Sequence, residues 1–266
     1  MSAPDPAISI AAERLAAGDP ARWAAVMAAP VSARPVMIAV GALNLELARA
    51  PWASSEPVVA EMRLQWWVDA LEAAQVRPIP HEIGPAVQIA LNSGVPVADL
   101  IAAAEARRWD CWTEAFDDQA AFDAYLAATS GGMVWAVARG LGASGDAAQQ
   151  AAFDAGWAIG LANLFSAIPE LEGRGRRPVV DGREAALRNL AQVGLDRLAR
   201  ARENIVKIGS KPARDAVQAA SLHGWQARGI LQRARREPRR IGDDTLAASE
   251  FSRRFGLIRA AFFGAI

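Results

Sequence analysis

Cysteine is almost missing from this chain, with Cys111 the only one. An internal disulfide and a thiolate metal cluster are therefore excluded, a reducing compartment fits, and Cys111 reads as a small buried apolar residue. Histidine is nearly as scarce. His81 follows Pro80 and His223 stands alone on a predicted helix, with no nucleophile or second ligand at motif spacing, so neither is expected to catalyse or to bind a metal. Long apolar runs are missing too. The charge-free stretch from Ala155 to Pro169 falls short of the roughly 18–20 residues that a membrane span needs. Acidic Asp5, Glu13 and Asp19 replace the basic lead-in of a secretory or transit signal. A cytoplasmic protein is expected, peripheral at most at the inner face of a membrane. β-branched alternation is scarce, no internal repeat is found, and GLGASG at residues 140–145 follows no strand, so it reads as a helix-ending turn rather than a phosphate loop.

What is present is apolar and helical. Hydrophobic residues make up 52% and charged residues 22% of 266, enough for a large core and too apolar for disorder. One domain over residues 1–266 is expected, with an N-terminal segment at 1–33 and a C-terminal helix at 243–266. Breakers cluster at Gly18–Pro20, Pro30–Pro35, Arg77–Pro80, Asn92–Pro96, Gly140–Gly145, Gly173–Gly182, Gly209–Pro212 and Pro238–Gly242. Between them, Val36, Val40, Leu43 and Leu47 recur at helical spacing, as do Leu64, Trp67, Val68 and Leu71. The architecture predicted is an all-α bundle.

Charge is divided along the chain. Residues 1–172 carry a net charge of minus 11 and residues 173–266 one of plus 11, although the whole is neutral. The block Arg233, Arg235, Arg236, Arg239 and Arg240 is read first as solvated or paired with the acidic part, and second as facing an anionic membrane or partner. Nucleic acid is not an expected partner, because no recognition motif or aromatic interleaving accompanies the arginines. Near the C-terminus Phe251, Phe255, Ile258 and Phe262 form one stripe beside Arg253, Arg254 and Arg259. Such a helix closes a bundle or docks on an anionic membrane surface.

Three stretches carry a family likeness: GALNLELARAPWASSEPVVAEMRLQWWVDALE at residues 41–72, AYLAATSGGMVWAVARGLG from Ala124, and GWAIGLANLFSAIPELEGRGRRPV from Gly156. In this order they resemble the conserved regions of the squalene/phytoene synthase superfamily. The resemblance implies a helical bundle of the isoprenoid (terpenoid) synthase type, in which two aspartate motifs hold magnesium against prenyl diphosphates. Carboxylates at i and i+4 share a helix face, so two facing helices grip a metal cluster that neutralises the leaving diphosphate.

Laid on this chain, the first motif's aspartates fall at Ala48, Arg49 and Trp52, and the second's at Ala167 and Leu171. No carboxylate stands at any of them. Pro51 and Pro169 are expected to interrupt the two helices as well. Glu46, Tyr125, Asn163, Glu170, Arg174 and Arg176 remain as possible remnants of a cavity or diphosphate site, with Glu46 roughly opposite Ala48 on its helix. Glu46 and Glu170 are read first as paired or solvated acids. Trp66 and Trp67 read as core aromatics or, by the resemblance, as borders of a prenyl cavity.

The resemblance is nearest to the non-catalytic branch containing the mitochondrial complex I assembly factor, whose pattern is echoed in Leu43–Ala48 and Arg63–Trp67. It implies a scaffold or assembly factor, with a membrane-complex subunit or a prenyl lipid as partner and no cofactor. The alternative is an active head-to-head prenyltransferase requiring magnesium.

Overall fold

Proline and capping residues place most helix starts. In the computed structural model, which describes residues 6–265, α1 (Pro6–Gly18), α2 (Pro20–Ala28), α3 (Arg34–Arg49) and α4 (Pro57–Glu72) each have proline in the first turn, where no helical N–H is lost. α5 (Gly84–Asn92) and α6 (Val97–Ala106) follow, then α7 (Gln119–Leu126), whose cap Asp118 accepts from the Ala121 N–H. A π-helical turn over Ala127–Gly131 joins α7 to α8 (Gly132–Gly140). Then come α9 (Asp146–Gly173), α10 (Glu184–Lys207), α11 (Lys211–Ser221), α12 (Ala227–Arg236), the single turn α13 (Arg239–Gly242) and α14 (Glu250–Phe263). The chain is 78% helical, with no strand among the described residues. This is the all-α bundle that the periodicity predicts.

The predicted stripes form the core. Val36, Val40, Leu43 and Leu47 of α3, and Leu64, Trp67, Val68 and Leu71 of α4, are all buried. α9 runs through the middle, packed by α8, α10, α11 and α12, while α3 packs against α1, α5 and α8 and α4 against α6. By length and composition α9 suits a membrane span, but 67% of its most apolar window is buried inside the bundle, where it serves as the central core helix.

Two expectations about the chain's path are corrected. Pro169 does not interrupt α9, which continues to Gly173. Proline inside a helix costs ~3 kcal/mol, but it removes only one hydrogen bond here, four residues before the helix end. Phe165 and Ile168, buried four residues and one residue before it, contribute about 3–6 kcal/mol together, so packing wins. The breaker cluster Pro238–Gly242 likewise forms a helical turn rather than a loop. Pro51 behaves as expected: α3 ends at Arg49 and a 3-10 turn spans Ala50–Trp52. GLGASG ends α8, with Gly142 and Gly145 at positive φ.

The acidic and basic parts of the chain meet in ion pairs at Asp154 and, beside the boundary between them, at Glu170. Asp154 holds both Arg197 and Arg200, but among the described residues no ion pair ties Arg233, Arg235, Arg236, Arg239 or Arg240 to the acidic part; Arg240 pairs with neighbouring Glu237. Arg235, Arg236 and Arg239 of that block are exposed, while Arg233 and Arg240 are half-buried. The C-terminal helix begins at Glu250 under a Ser249 cap, and its aromatic stripe does not close the bundle: Phe251, Phe255, Ile258 and Phe262 are exposed.

Candidate functional site

The two faces of α3 separate two environments. At about 100° per residue, Asn44 and Ala48 share one face, while Glu46, Arg49 and Ala50 point to the other. That second face borders a cavity of about 430 Å³ lined by Glu46, Arg49, Met62, Trp66, Trp67 and His81. Trp67 is buried and Trp66 half exposed, packed edge to face at 5.0 Å with His81 beside them. Glu46 is held by Arg14 at 3.0 Å, and Arg14 also bonds Glu82. Glu46 thus belongs to this outer cavity, beside the motif position Arg49 and turned away from Ala48, as its phase on the helix predicts.

On the motif face the chain builds a polar network that sequence reasoning missed. The Tyr125 hydroxyl donates to Asp110, 2.9 and 3.1 Å from its two oxygens. Arg107 donates to Asp110 at 3.3 Å and to Asn44 Oδ1 at 3.2 Å, tying the 3-10 turn Arg107–Cys111 to α3. Burial pushes the Asp110 carboxyl above its ordinary range, against the pull of the Arg107 guanidinium. Burial likewise pushes the Tyr125 phenol up, with the Asp110 charge acting in the same direction, so Tyr125 remains a hydrogen-bond donor. Trp109, stacked on Phe116 at 3.8 Å, packs against Tyr125 and fills the space beside the network. Cys111, buried and pushed up to about 11 chiefly by desolvation, is a thiol and not a nucleophile at neutral pH. Replacing Tyr125 by phenylalanine should leave Asp110 short of a donor and cost roughly 1–2 kcal/mol of stability in urea titration.

The two motif positions do meet, through arginine and tryptophan. Trp52, at the end of the 3-10 turn after α3, lies against Arg174 at 4.5 Å and Arg176 at 4.4 Å, both on the turn that follows α9. Arg176 is buried and donates to the Trp112 carbonyl at 2.6 Å, and Arg174 holds Glu170 at 2.6 Å. Glu170 is therefore a paired acid. Asn163 is exposed one turn before Ala167, and Ala167 and Leu171 are half-buried. What the resemblance predicts to be a carboxylate cage is a cation–π stack.

Magnesium does not fit these donors. Magnesium takes six oxygens in octahedral geometry, anchored by one or two carboxylates with substrate phosphates and water completing the shell. Here the motif positions offer Ala48, Arg49, Trp52, Ala167 and Leu171, Glu170 is neutralised by Arg174, and two guanidinium groups add repulsion. Among the described residues no three His, Cys, Asp or Glu side chains gather as metal ligands. What the arrangement can do chemically is bind an anion or hold an interface, since guanidinium N–H groups donate to both.

Helix order, the central α9 and the apposition of the α3 and α9 ends define an all-helical bundle of the terpenoid synthase class. The chain belongs to the squalene/phytoene synthase family, whose sequence profile matches residues 15–254. Among solved structures it is similar to a dehydrosqualene synthase in complex with ligand, at a TM-score of 0.68 and 11% identity over 96% of this chain and 95% of that one. It is also similar to the squalene synthase HpnC from Alicyclobacillus acidocaldarius, at a TM-score of 0.71 and 14% identity over 87% and 94%. At these identities the likeness establishes the fold. No curated protein matches the chain in sequence.

Proposed function

We propose that this family member is non-catalytic and acts as a scaffold or assembly factor, with a membrane-complex subunit or a prenyl lipid as its partner. The observation that carries this reading is the Arg174–Trp52–Arg176 stack, which occupies the meeting point of the two motifs with cations and an indole. Without opposed carboxylates the chain has nothing to gather metal around a leaving diphosphate. That loses several kcal/mol of transition-state stabilisation, or roughly three or more orders of magnitude in rate.

The resemblance to the branch containing the mitochondrial complex I assembly factor supports respiratory assembly as the particular role. Its two runs, Leu43–Ala48 and Arg63–Trp67, hold structural positions: Asn44 anchors Arg107, and Trp67 is core. Deleting the gene should lower assembled complex I on native gels while leaving isoprenoid products unchanged. The opposite pattern would sink this assignment.

The direct test gives purified protein magnesium with farnesyl or geranylgeranyl diphosphate. No diphosphate release above background and no head-to-head product are expected. Converting Ala48, Trp52, Ala167 and Leu171 to aspartate together should not create activity, because α3 still ends at Arg49 and Arg174 and Arg176 remain. Magnesium-dependent product from the unmodified chain, lost in Glu170→Ala, would establish a relocated metal site and overturn the proposal.

A further inference from the structure

The outer side of α14 is an unpartnered apolar ridge. Phe251, Phe255, Ile258 and Phe262 fall within about 60° of one another on the helical wheel, and they are 80%, 61%, 57% and 80% exposed. Ala260, on the opposite side, is buried, Gly256 lies over the Trp225 ring and Leu257 packs against the core, so these residues fix the helix to the body while the four of the ridge face out. Isolated exposed apolar side chains are ordinary, but four aligned ones with Phe263 beside them are not.

Next to this ridge, between α12 and α14, lies a second cavity of about 430 Å³. Arg202, Arg228, Arg233, Arg253 and Arg259 line it, and among the described residues no aspartate or glutamate does. Arg233 is anchored by donating to the Leu246 carbonyl at 2.7 Å. Burial, then the neighbouring Arg202 and Arg259 charges, hold the Arg228 guanidinium below its usual pKa, so the cations are close enough to repel one another. A bound phosphate would relieve that repulsion and accept several charge-assisted hydrogen bonds. Arg259 belongs to both features, since it lines the cavity and stands one residue from Ile258 of the ridge.

We infer that this end of the molecule docks on an anionic membrane, the arginine cavity taking a phospholipid phosphate while the α14 ridge enters the interface. Apolar depth and headgroup charge are supplied side by side, which is what an interfacial helix uses. A soluble anion would leave the ridge without a purpose, and a neutral surface would leave the arginines without one.

The test is cosedimentation of the full chain with vesicles of phosphatidylcholine alone or mixed with phosphatidylglycerol. At low salt the mixed vesicles should bind at least about tenfold more protein than the neutral ones, and the difference should fade near 1 M salt, where the Debye length is about 3 Å. Arg228→Gln with Arg259→Gln, and separately Phe255→Ser with Phe262→Ser, should each weaken binding about tenfold while helical circular dichroism and Tm stay unchanged. Equal binding to neutral vesicles, or no response to either pair of substitutions, overturns the inference. So does stabilisation by inorganic phosphate without vesicle binding, which would make the cavity a soluble-anion site. A dimer in sedimentation that Phe255→Ser with Phe262→Ser dissolves would assign the ridge to self-association and overturn it equally.

Discussion

Gly156→Ala should destabilise the protein by about 2 kcal/mol or more, lowering Tm by roughly 4–8 °C for a chain of this size. A Cβ at Gly156 would stand 2.6 Å from both Gly131 Cα and Ser130 O, and 3.0 Å from Gly131 N. Those are backbone atoms of the π-helical turn between α7 and α8, so no side chain can swing aside. Alanine improves helix propensity by ~1 kcal/mol over glycine, but overpacking a rigid contact costs ~3 kcal/mol or more, and the clash wins. Gly160, one turn on, meets the Ser130 side chain instead, with its Oγ at 2.6 Å and its Cβ at 2.7 Å. Gly173→Ala provides the control: it lies at the end of the same helix with nothing within 4 Å of its Cβ, and should be neutral to slightly stabilising. If both variants melt alike, close approach of α9 to the turn is not what Gly156 supplies. The contact matters for the site because Tyr125 stands two residues before that turn. Pushing the turn away from α9 should therefore disturb the Tyr125–Asp110–Arg107 network along with stability.

The core helices were legible because their apolar residues keep a 3.6-residue period over two to three turns. Val36 to Leu47 and Leu64 to Leu71 are read from the sequence as stripes and found as stripes. The π turn was not legible. Ala127–Gly131 keeps a helical pattern of small residues, and the α9 glycines it lies against are about 25 residues or more downstream. The site divides the same way. Loss of the carboxylates at Ala48, Arg49, Trp52, Ala167 and Leu171 is a local fact, visible once the motifs are aligned. Their replacement by a stack of Trp52 on Arg174 and Arg176 is a pairing across more than 120 residues, with no periodicity to announce it. Arg107 and Asp110 were missed because the segment around them is a short 3-10 turn with no regular stripe, and nothing in the spacing ties Asp110 to Tyr125. Pro169 was misjudged because a propensity rule was applied where buried neighbours outweigh it.

Acid should weaken the fold through His223, and His223→Gln should remove that part of the loss. His223, in a 3-10 turn after α11, has its Nδ1 3.0 Å from the Ala220 carbonyl; since a carbonyl only accepts, Nδ1 carries the proton of the neutral ring. Burial, then the neighbouring Arg22 cation, lowers its pKa to about 3, against weaker opposing effects of the Ala220 bond and Asp19. In the unfolded chain the ring takes a proton below about pH 6.5, whereas in the folded chain it stays neutral down to about 3. Between those values the unfolded state binds more protons, so stability is fully present above about 6.5 and falls as pH falls. The slope approaches 1.4 kcal/mol per pH unit, which makes roughly 3 kcal/mol by about pH 4. Glutamine cannot titrate, so the difference in unfolding free energy between native protein and His223→Gln should shift by about this amount between pH 7 and pH 4, in favour of the variant. Carboxylates titrating over the same range cancel in that difference. Urea titrations of both proteins at the two pH values measure it, and a difference that does not change with pH would mean that His223 is protonated in the folded state.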